Sequence, residues 1–179
     1  MKVYLDTINK EDMPSLYKWF SDIEFLSSYD YVLPVPMTRE KVEQSIADYN
    51  EENNSIIFAI RATEVAHNPI IGVAGYYDII KDNQVATLFI GIGDKSQQGK
   101  GYGKKALEEL LNYGFKTLKL HRIQLNVISF NASAINLYEK AGFKKEGTMK
   151  EFVLRDGKRY DLYMYSKLNE GIISTWQKN

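Results

Sequence analysis

An α+β fold built on one mixed sheet is what the sequence predicts, and three observations carry that reading. Several short runs alternate apolar and polar residues between turn signals, as strands do. Other segments repeat apolar residues every three or four positions, as helices do when one face lies on a core. The segments follow the order strand, two helices, antiparallel strands, and then alternating strands and helices, within a chain of 179 residues and 20.6 kDa. That order argues for one α+β domain, because single cores typically run to one or two hundred residues.

Val3 to Thr7 reads as a strand with Val3 and Leu5 on one face. Glu11-Asp12-Met13-Pro14 is an acidic, proline-containing helix start, and the helix is predicted to run through Leu16, Trp19, Phe20 and Ile23. From Ser27 to Met37 the pattern breaks around Tyr29, Tyr31, Pro34 and Pro36, which predicts a loop near the ligand. Thr38 caps a second helix carrying Val42, Ile46 and Tyr49 at helical spacing.

Ser55–Arg61, Ile70–Tyr77 and Val85–Ile92 are three strands of an antiparallel meander, turned at Asn68-Pro69 and Lys81-Asp82-Asn83. A loop rich in Gly, Lys and Gln follows from Gly93 to Gly103, and then a helix with Leu107, Leu110, Leu111, Phe115 and Leu118 on one stripe. His121–Ile128 alternates as a strand. Asn131 caps a helix through Ala134, Ile135, Leu137 and Tyr138 that stops at Ala141-Gly142. Phe143–Glu146 is predicted as a separate short element before a hairpin, Met149–Arg155 and Lys158–Tyr165, turned at Asp156-Gly157.

Composition excludes several functions. With 23 Lys and Arg against 23 Asp and Glu, no basic footprint marks a nucleic-acid binder. Zero cysteines remove disulfides, thiolate metal sites and a cysteine nucleophile together. The two histidines, His67 and His121, have no second ligand at metal spacing, so no metal is expected. Charge within the first six residues and the absence of an apolar stretch of about 18 residues argue for a soluble, cytoplasmic protein without membrane contact.

The sharpest chemical signal is Gln98-Gly99-Lys100-Gly101-Tyr102-Gly103-Lys104, between a predicted strand and an amphipathic helix. Glycines and helix-start amides suit a pyrophosphate. No Ser or Thr follows the lysine, so the P-loop pattern fails. The spacing G-x-G-x-G, after a meander strand, also fails the dinucleotide fingerprint. What the loop does match is Q/R-x-x-G-x-G/A, at Gln98, Gly101 and Gly103, and in this it resembles the GNAT superfamily of acyl-CoA-dependent N-acetyltransferases. A second stretch, Asn131 to Phe143, is similar to the family's N-x-x-A-x-x-x-Y-x-k-x-G-F segment. The resemblance covers almost the whole chain. Through Tyr113-Gly114-Phe115 and the segments Glu146-Gly147 and Arg159-Tyr160, it looks closest to the branch acetylating ribosomal-protein N-termini and polyamines.

The resemblance implies a single acetyltransferase domain over residues 1–179, on a mostly antiparallel, splayed sheet flanked by helices. It implies acetyl-CoA as co-substrate and a primary amine as acceptor, either a small molecule such as a polyamine or amino sugar, or a protein N-terminus. The amine attacks the thioester directly in a ternary complex. Tyr138 is then the general acid, since a phenol is protonated at neutral pH and can donate to a leaving thiolate. The backbone of Phe89, Ile90, Gly91 and Ile92 would hold the pantetheine arm, with Gly91 and Gly93 allowing close approach. Gln98, Gly99, Lys100, Gly101, Tyr102, Gly103 and Lys104 would hold the pyrophosphate, and Asn131 would touch the pantetheine, cap its helix, or do both. Tyr29, Asp30 and Tyr31, with the tail tyrosines Tyr160, Tyr163 and Tyr165, are candidates for the amine side, or simply pack on the core edge.

The departure from the family lies in the fourth strand. Many relatives carry a glutamate there as the base, whereas this chain reads Val85-Ala86-Thr87-Leu88-Phe89-Ile90. Glu24, Asp30, Asp78 or a water chain would have to serve. An acyl-CoA sensor without turnover is the competing class, and a homodimer is compatible with the chain.

Overall fold

The computed structural model of the protein describes residues 2–51 and 54–171. The ends of the expected 1–179 domain, residue 1 and residues 172–179, lie outside the described residues. Seven strands form one sheet in the order β1-β2-β3-β4-β5-β7-β6. They are β1 (Val3–Asp6), β2 (Ile56–Ala62), β3 (Gly72–Ile80), β4 (Val85–Ile92), β5 (Arg122–Ile128), β6 (Lys144–Arg155) and β7 (Lys158–Leu168). Every neighbouring pair is antiparallel except β4 and β5. Five helices cover the sheet: α1 (Met13–Phe20), α2 (Ile23–Tyr29), α3 (Arg39–Glu51), α4 (Tyr102–Asn112) and α5 (Ala132–Lys140). None is long and apolar enough to cross a membrane.

The meander carries two cores, one on each face. Along β2, Ile57 and Ala59 pack with Leu16, Trp19 and Val42 on the side of α1 to α3. Ile60 and Ala62 pack with Leu107, Leu110 and Tyr138 on the side of α4 and α5. A strand buried on both faces needs no polar alternation, which is why Ile56 to Ile60 is a continuous apolar run.

Several elements depart from their sequence-based bounds. The helix expected from residue 11 to Ile23 is two helices, because Asp22 takes an extended conformation and its carboxylate accepts from Glu24 N at 2.9 Å. That N-cap restarts the chain as α2 and turns Phe25 and Leu26 into the same core as Trp19 and Phe20. Helix α2 then runs to Tyr29, three residues into the expected loop, since the prolines that forbid a helix come only at residues 34 and 36. The stripe expected through Leu118 leaves the α-helix at Asn112 and widens into a π turn over Tyr113–Thr117. There the Tyr76 hydroxyl donates to the Leu110 carbonyl at 2.7 Å, and Gly114 lacks the Cβ that would lie 2.4 Å from that oxygen. Phe143–Glu146 is not a separate strand either. Lys144 to Glu146 join Met149–Arg155 in the single strand β6, whose pairing with β7 shifts twice, after Lys145 and after Met149. Asp156 and Gly157 both have positive φ, 48° and 74°, as a tight hairpin turn requires.

The far edge is stitched by charge. Glu146 on β6 receives Arg122 of β5 through two hydrogen bonds, one of 2.8 Å, and the Ser166 hydroxyl of β7 at 2.6 Å. Arg122 first and Ser166 second hold the Glu146 carboxyl down to about 2 against an ordinary 4.5. A carboxyl lowered on folding stabilises fully above its unfolded value and loses that contribution as pH falls through the folded one. Thermal unfolding of the protein should therefore steepen in its pH dependence between 4.5 and about 2, and Glu146→Gln should flatten that window relative to the parent. Identical pH profiles would show that the pair does not stabilise the edge.

Candidate active site

β4 and β5 pair in parallel only at Val85 with Arg122, Ala86 with Ile123 and Thr87 with Gln124, and then the strands part. The splay leaves Leu88, Phe89 and Ile90 facing Asn126, Val127 and Ile128 across a cavity of about 450 Å³. The end of α2 with the segment to Val32, one side of α3, Asn54 and Ser55 before β2, the end of β3, the first turns of α5 and Leu162 of β7 complete its lining. That size lies within the usual range of ligand pockets.

Tyr138 rises into this cavity from α5. Asn131 starts the helix, its Oδ1 accepting from Ala134 N at 3.1 Å, and Gly142 at φ 87° ends it. The ring is buried, edge-on to Phe143 with centroids 5.8 Å apart, while the hydroxyl has no hydrogen-bond partner among the described residues. Burial pushes its pKa up, so the phenol holds its proton throughout the neutral range. Such a group donates to a negative charge that develops beside it.

Three carboxylates line the same cavity, Asp30 after α2, Asp48 on α3 and Asp78 on β3, and no Lys, Arg or His lines it among the described residues. Asp30 accepts from the amides of Tyr31 at 2.6 Å and Val32 at 3.4 Å, and Asp48 from Gln44 at 2.5 Å. Asp78 stands at the irregularity where β3 and β4 shift register, with φ 50°, and has no hydrogen-bonded partner among the described residues. Tyr49 and Tyr77 stand near both Asp30 and Asp78. Burial first, and the negative field of these two aspartates second, push Tyr49 up to about 12; Tyr77 is raised by burial first, then by Tyr31 and the same aspartates. Glu24 is elsewhere, bonded to Lys95 at 2.5 Å on the surface.

Aromatic rings form the wall between cavity and core. Phe89 lies 6.4 Å from Tyr29, 5.3 Å from Tyr49 and 6.3 Å from Tyr77, centroid to centroid. The two glycines of this region serve these rings. A Cβ on Gly91 would meet the Tyr29 ring at 2.7 Å, and one on Gly93 would meet Trp19 at 2.1 Å. Their bare backbones admit side chains of the protein, whereas the sequence reading assigned that space to the approach of a ligand.

The glycine loop stands at the far end of β4. The Gln98 side chain donates to the Ile92 carbonyl at 2.8 Å, tying the loop to the strand. Gly99 and Gly101 take φ of 73° and 88°, and a Cβ on either would find nothing within 4 Å, so the space beside them is open. Gly101 precedes α4 without any side-chain cap, leaving the amides of Tyr102, Gly103 and Lys104 with no partner inside the helix. Lys100 and Lys104 are exposed, and Tyr102 is buried. Open space, free amides and flanking cations together fit a pyrophosphate. A Cβ on Gly103 would rest 3.8 Å from Ile92 and 3.9 Å from Leu137, so the loop, the end of β4 and the residue before Tyr138 meet at one point.

Most of the residues singled out in the sequence thus lie along one line, from the loop down β4 to the cavity that Tyr29, Asp30, Tyr31, Asn131 and Tyr138 share. The tail tyrosines do not join them. Tyr160 packs on Phe130, Tyr163 lies under Lys145, and Tyr165 donates to Glu139 at 2.8 Å. Ser45, Asp48 and Asn126 line the cavity and carry no motif of their own. Only the i, i+3 spacing of Ser45 and Asp48, beside the apolar stripe of α3, marks them in the sequence.

Comparison with known proteins agrees with this geometry. Residues 2–144 match the model of the acetyltransferase (GNAT) domain. The chain is 30% identical over 170 residues to the uncharacterized N-acetyltransferase p20 of Bacillus licheniformis, covering 93% of both chains. It is 30% identical over 117 residues to the Escherichia coli alanine N-acetyltransferase of ribosomal protein uS5, covering 65% of this chain and 59% of that one. The crystal structure of spermidine N-acetyltransferase from Vibrio cholerae with CoA and spermine superposes with a TM-score of 0.84 at 24% identity, over 93% of this chain and 95% of that one. The match over residues 2–144 and the full-length relative place the chain in the GNAT family, as an acetyl-CoA-dependent N-acetyltransferase.

Proposed function

We propose that the protein acetylates a small amine carrying more than one positive charge, of the polyamine class. The observation that carries this reading is the cavity, which Asp30, Asp48 and Asp78 line together with Tyr138 and which no cationic side chain lines among the described residues. An acidic, aromatic-walled pocket favours a polycation through charge and cation–π attraction. The superposed spermidine N-acetyltransferase, bound to CoA and spermine, supports a polyamine, whereas the relative that acetylates ribosomal protein uS5 points to the alternative acceptor, a protein N-terminus.

In this reading acetyl-CoA supplies the acetyl group along β4. The amides of Gly99 to Lys104 hold its pyrophosphate, with Lys100 and Lys104 adding charge, and the open backbone of Phe89 to Ile92 receives the pantetheine. Asn131, already the cap of α5, borders that arm. On the other side Tyr29, Asp30 and Tyr31 hold the amine, whose distal charge Asp48 balances. Asp78, the carboxylate without a hydrogen-bonded partner among the described residues, takes the proton that the attacking amine loses, directly or through water. The new bond is amide C–N and the broken bond is C–S. Tyr138 gives its proton to the departing sulfur and recovers one from solvent, while Asp78 releases to solvent the proton it took, leaving the enzyme unchanged.

A thiol-release assay over spermidine, putrescine, glucosamine and short peptides tests the acceptor. Turnover of polyamines above the rest is expected, and a preference for peptides would replace this reading with N-terminal acetylation. Tyr138→Phe should lower kcat by about 100-fold with acetyl-CoA affinity within about twofold, because it removes one proton and little volume. An unchanged kcat in a chemistry-limited assay would take the acid role from Tyr138. Asp78→Asn should lower kcat for spermidine at pH 7 and shift the pH–rate profile upward, whereas a change confined to KM would make Asp78 an anchor. Gly101→Val, strained at φ 88°, should weaken CoA binding about tenfold or more in titration calorimetry, and intact affinity in a folded variant would move the pyrophosphate elsewhere.

A further inference from the structure

We infer that Arg155 is a positioning residue for the amine side of the site, its guanidinium fixing the segment that carries Tyr29, Asp30 and Tyr31 to the cavity wall. The inference rests on reading that cavity as the acceptor site.

Arg155 ends β6 and is 8% exposed. It does not line the cavity. Its Nε points to the Ser27 carbonyl at 3.4 Å, its Nη2 donates to the carbonyls of Asp30 and Val32, each at 2.8 Å, and its Nη1 donates to Leu154 at 2.9 Å. Every hydrogen-bonded acceptor is a backbone carbonyl. The protein's other two buried or half-buried guanidinium groups pair instead with carboxylates, Arg61 with Asp6 and Asp12, and Arg122 with Glu146. A cation taken out of water without a paired carboxylate is costly unless its donors are used, and here the fork of the guanidinium spans three carbonyls of one segment.

That segment needs an external fastening. Between Asp30 and Thr38 the chain has no helix or strand, and the Asp30 and Val32 carbonyls have no ladder to join. Ser27 lies in the last turn of α2, where free carbonyls attract positive charge. On the opposite side Asn131 Nδ2 donates to the Ser28 carbonyl at 3.2 Å. The segment is thus held from β6 by Arg155 and from α5 by Asn131, the residue that starts the helix bearing Tyr138. Moving the acceptor wall relative to the acid would require breaking one of these two holds. Lysine keeps the charge but has one nitrogen, which cannot reach three carbonyls in a plane.

The test compares Arg155→Lys and Arg155→Met with the parent, using spermidine and acetyl-CoA. The expected result for the methionine variant is a spermidine KM raised tenfold or more, with the acetyl-CoA KM within twofold, and an intermediate spermidine KM for lysine. Hydrogen–deuterium exchange without substrate should quicken in the peptide covering residues 26–33 and remain unchanged over β2 to β4. Unchanged exchange at 26–33 overturns the inference, as does an equal rise of both KM values with faster exchange throughout, which marks a general structural role. Should the parent enzyme turn over no polyamine, the acceptor reading fails, and the exchange measurement still decides whether Arg155 holds the segment.

Discussion

Three residue pairs join the two halves of the sheet, and the rest of the molecule is arranged around the fact that there are no more. Beyond Thr87 and Gln124 the parallel strands separate. A backbone edge that is neither paired nor buried in a core is a demand for hydrogen bonds. β4 meets it on one side through β3, from Gly72 with Ile92 to Ile80 with Val85. On the other side the wedge is filled from above by α5 and left open towards the cavity. Both ends of the functional line follow from this split. The glycine loop continues from the free end of β4, and Tyr138 descends where β5 has moved away.

Two cores make the split tolerable. The face towards α4 is dense, with Leu107, Leu110, Ile123 and Leu125 almost wholly buried beside the rings of Tyr76 and Tyr165. The face towards α1 to α3 is aromatic, and Phe25 stacked on Tyr29 with centroids 4.9 Å apart leads directly to Phe89 and the cavity. Tyrosine suits that boundary, its ring in the core and its hydroxyl in a polar space. Gly91 of β4 makes room for Tyr29 and Phe25, and Gly93, just past the strand, makes room for Trp19. The high tyrosine content, 13 residues, thus has a partial structural account in Tyr29, Tyr31, Tyr49, Tyr77 and Tyr138, which all border one cavity.

The strands were legible because periodicity and turn chemistry act locally. Val85–Ile92 and the turn at Asp156-Gly157 stand where the sequence puts them. Boundaries set by a single side chain were harder. The Asp22 cap splits one expected helix, and the Tyr76 hydroxyl, 34 positions before Leu110, coincides with the end of the α-helical turns in another. The merging of Lys144–Glu146 into β6 depends on register with β7, which no local pattern encodes. The site divides in the same way. Motif residues such as Gln98, Gly101, Asn131 and Tyr138 carry a spacing that can be read. Asp48 and Asn126 enter the cavity only because α3 and β5 are folded against it, and Arg155 acts on a segment more than a hundred positions away through carbonyls that have no sequence signature. The missing carboxylate on β4 was visible at once. The substitute we propose, Asp78, is a matter of topology, since it lines the cavity from β3 across a shifted register.

The most direct test of the account is hydrogen–deuterium exchange of the protein with and without acetyl-CoA, because it reads the wedge itself. If the unpaired edge of β4 and the glycine loop receive the co-substrate, exchange should slow in peptides covering residues 88–92 and 99–104 and stay unchanged over the hairpin of β6 and β7. Saturating acetyl-CoA that protects some other surface and leaves β4 untouched would contradict the claim that the split between β4 and β5 is where the thioester meets the amine.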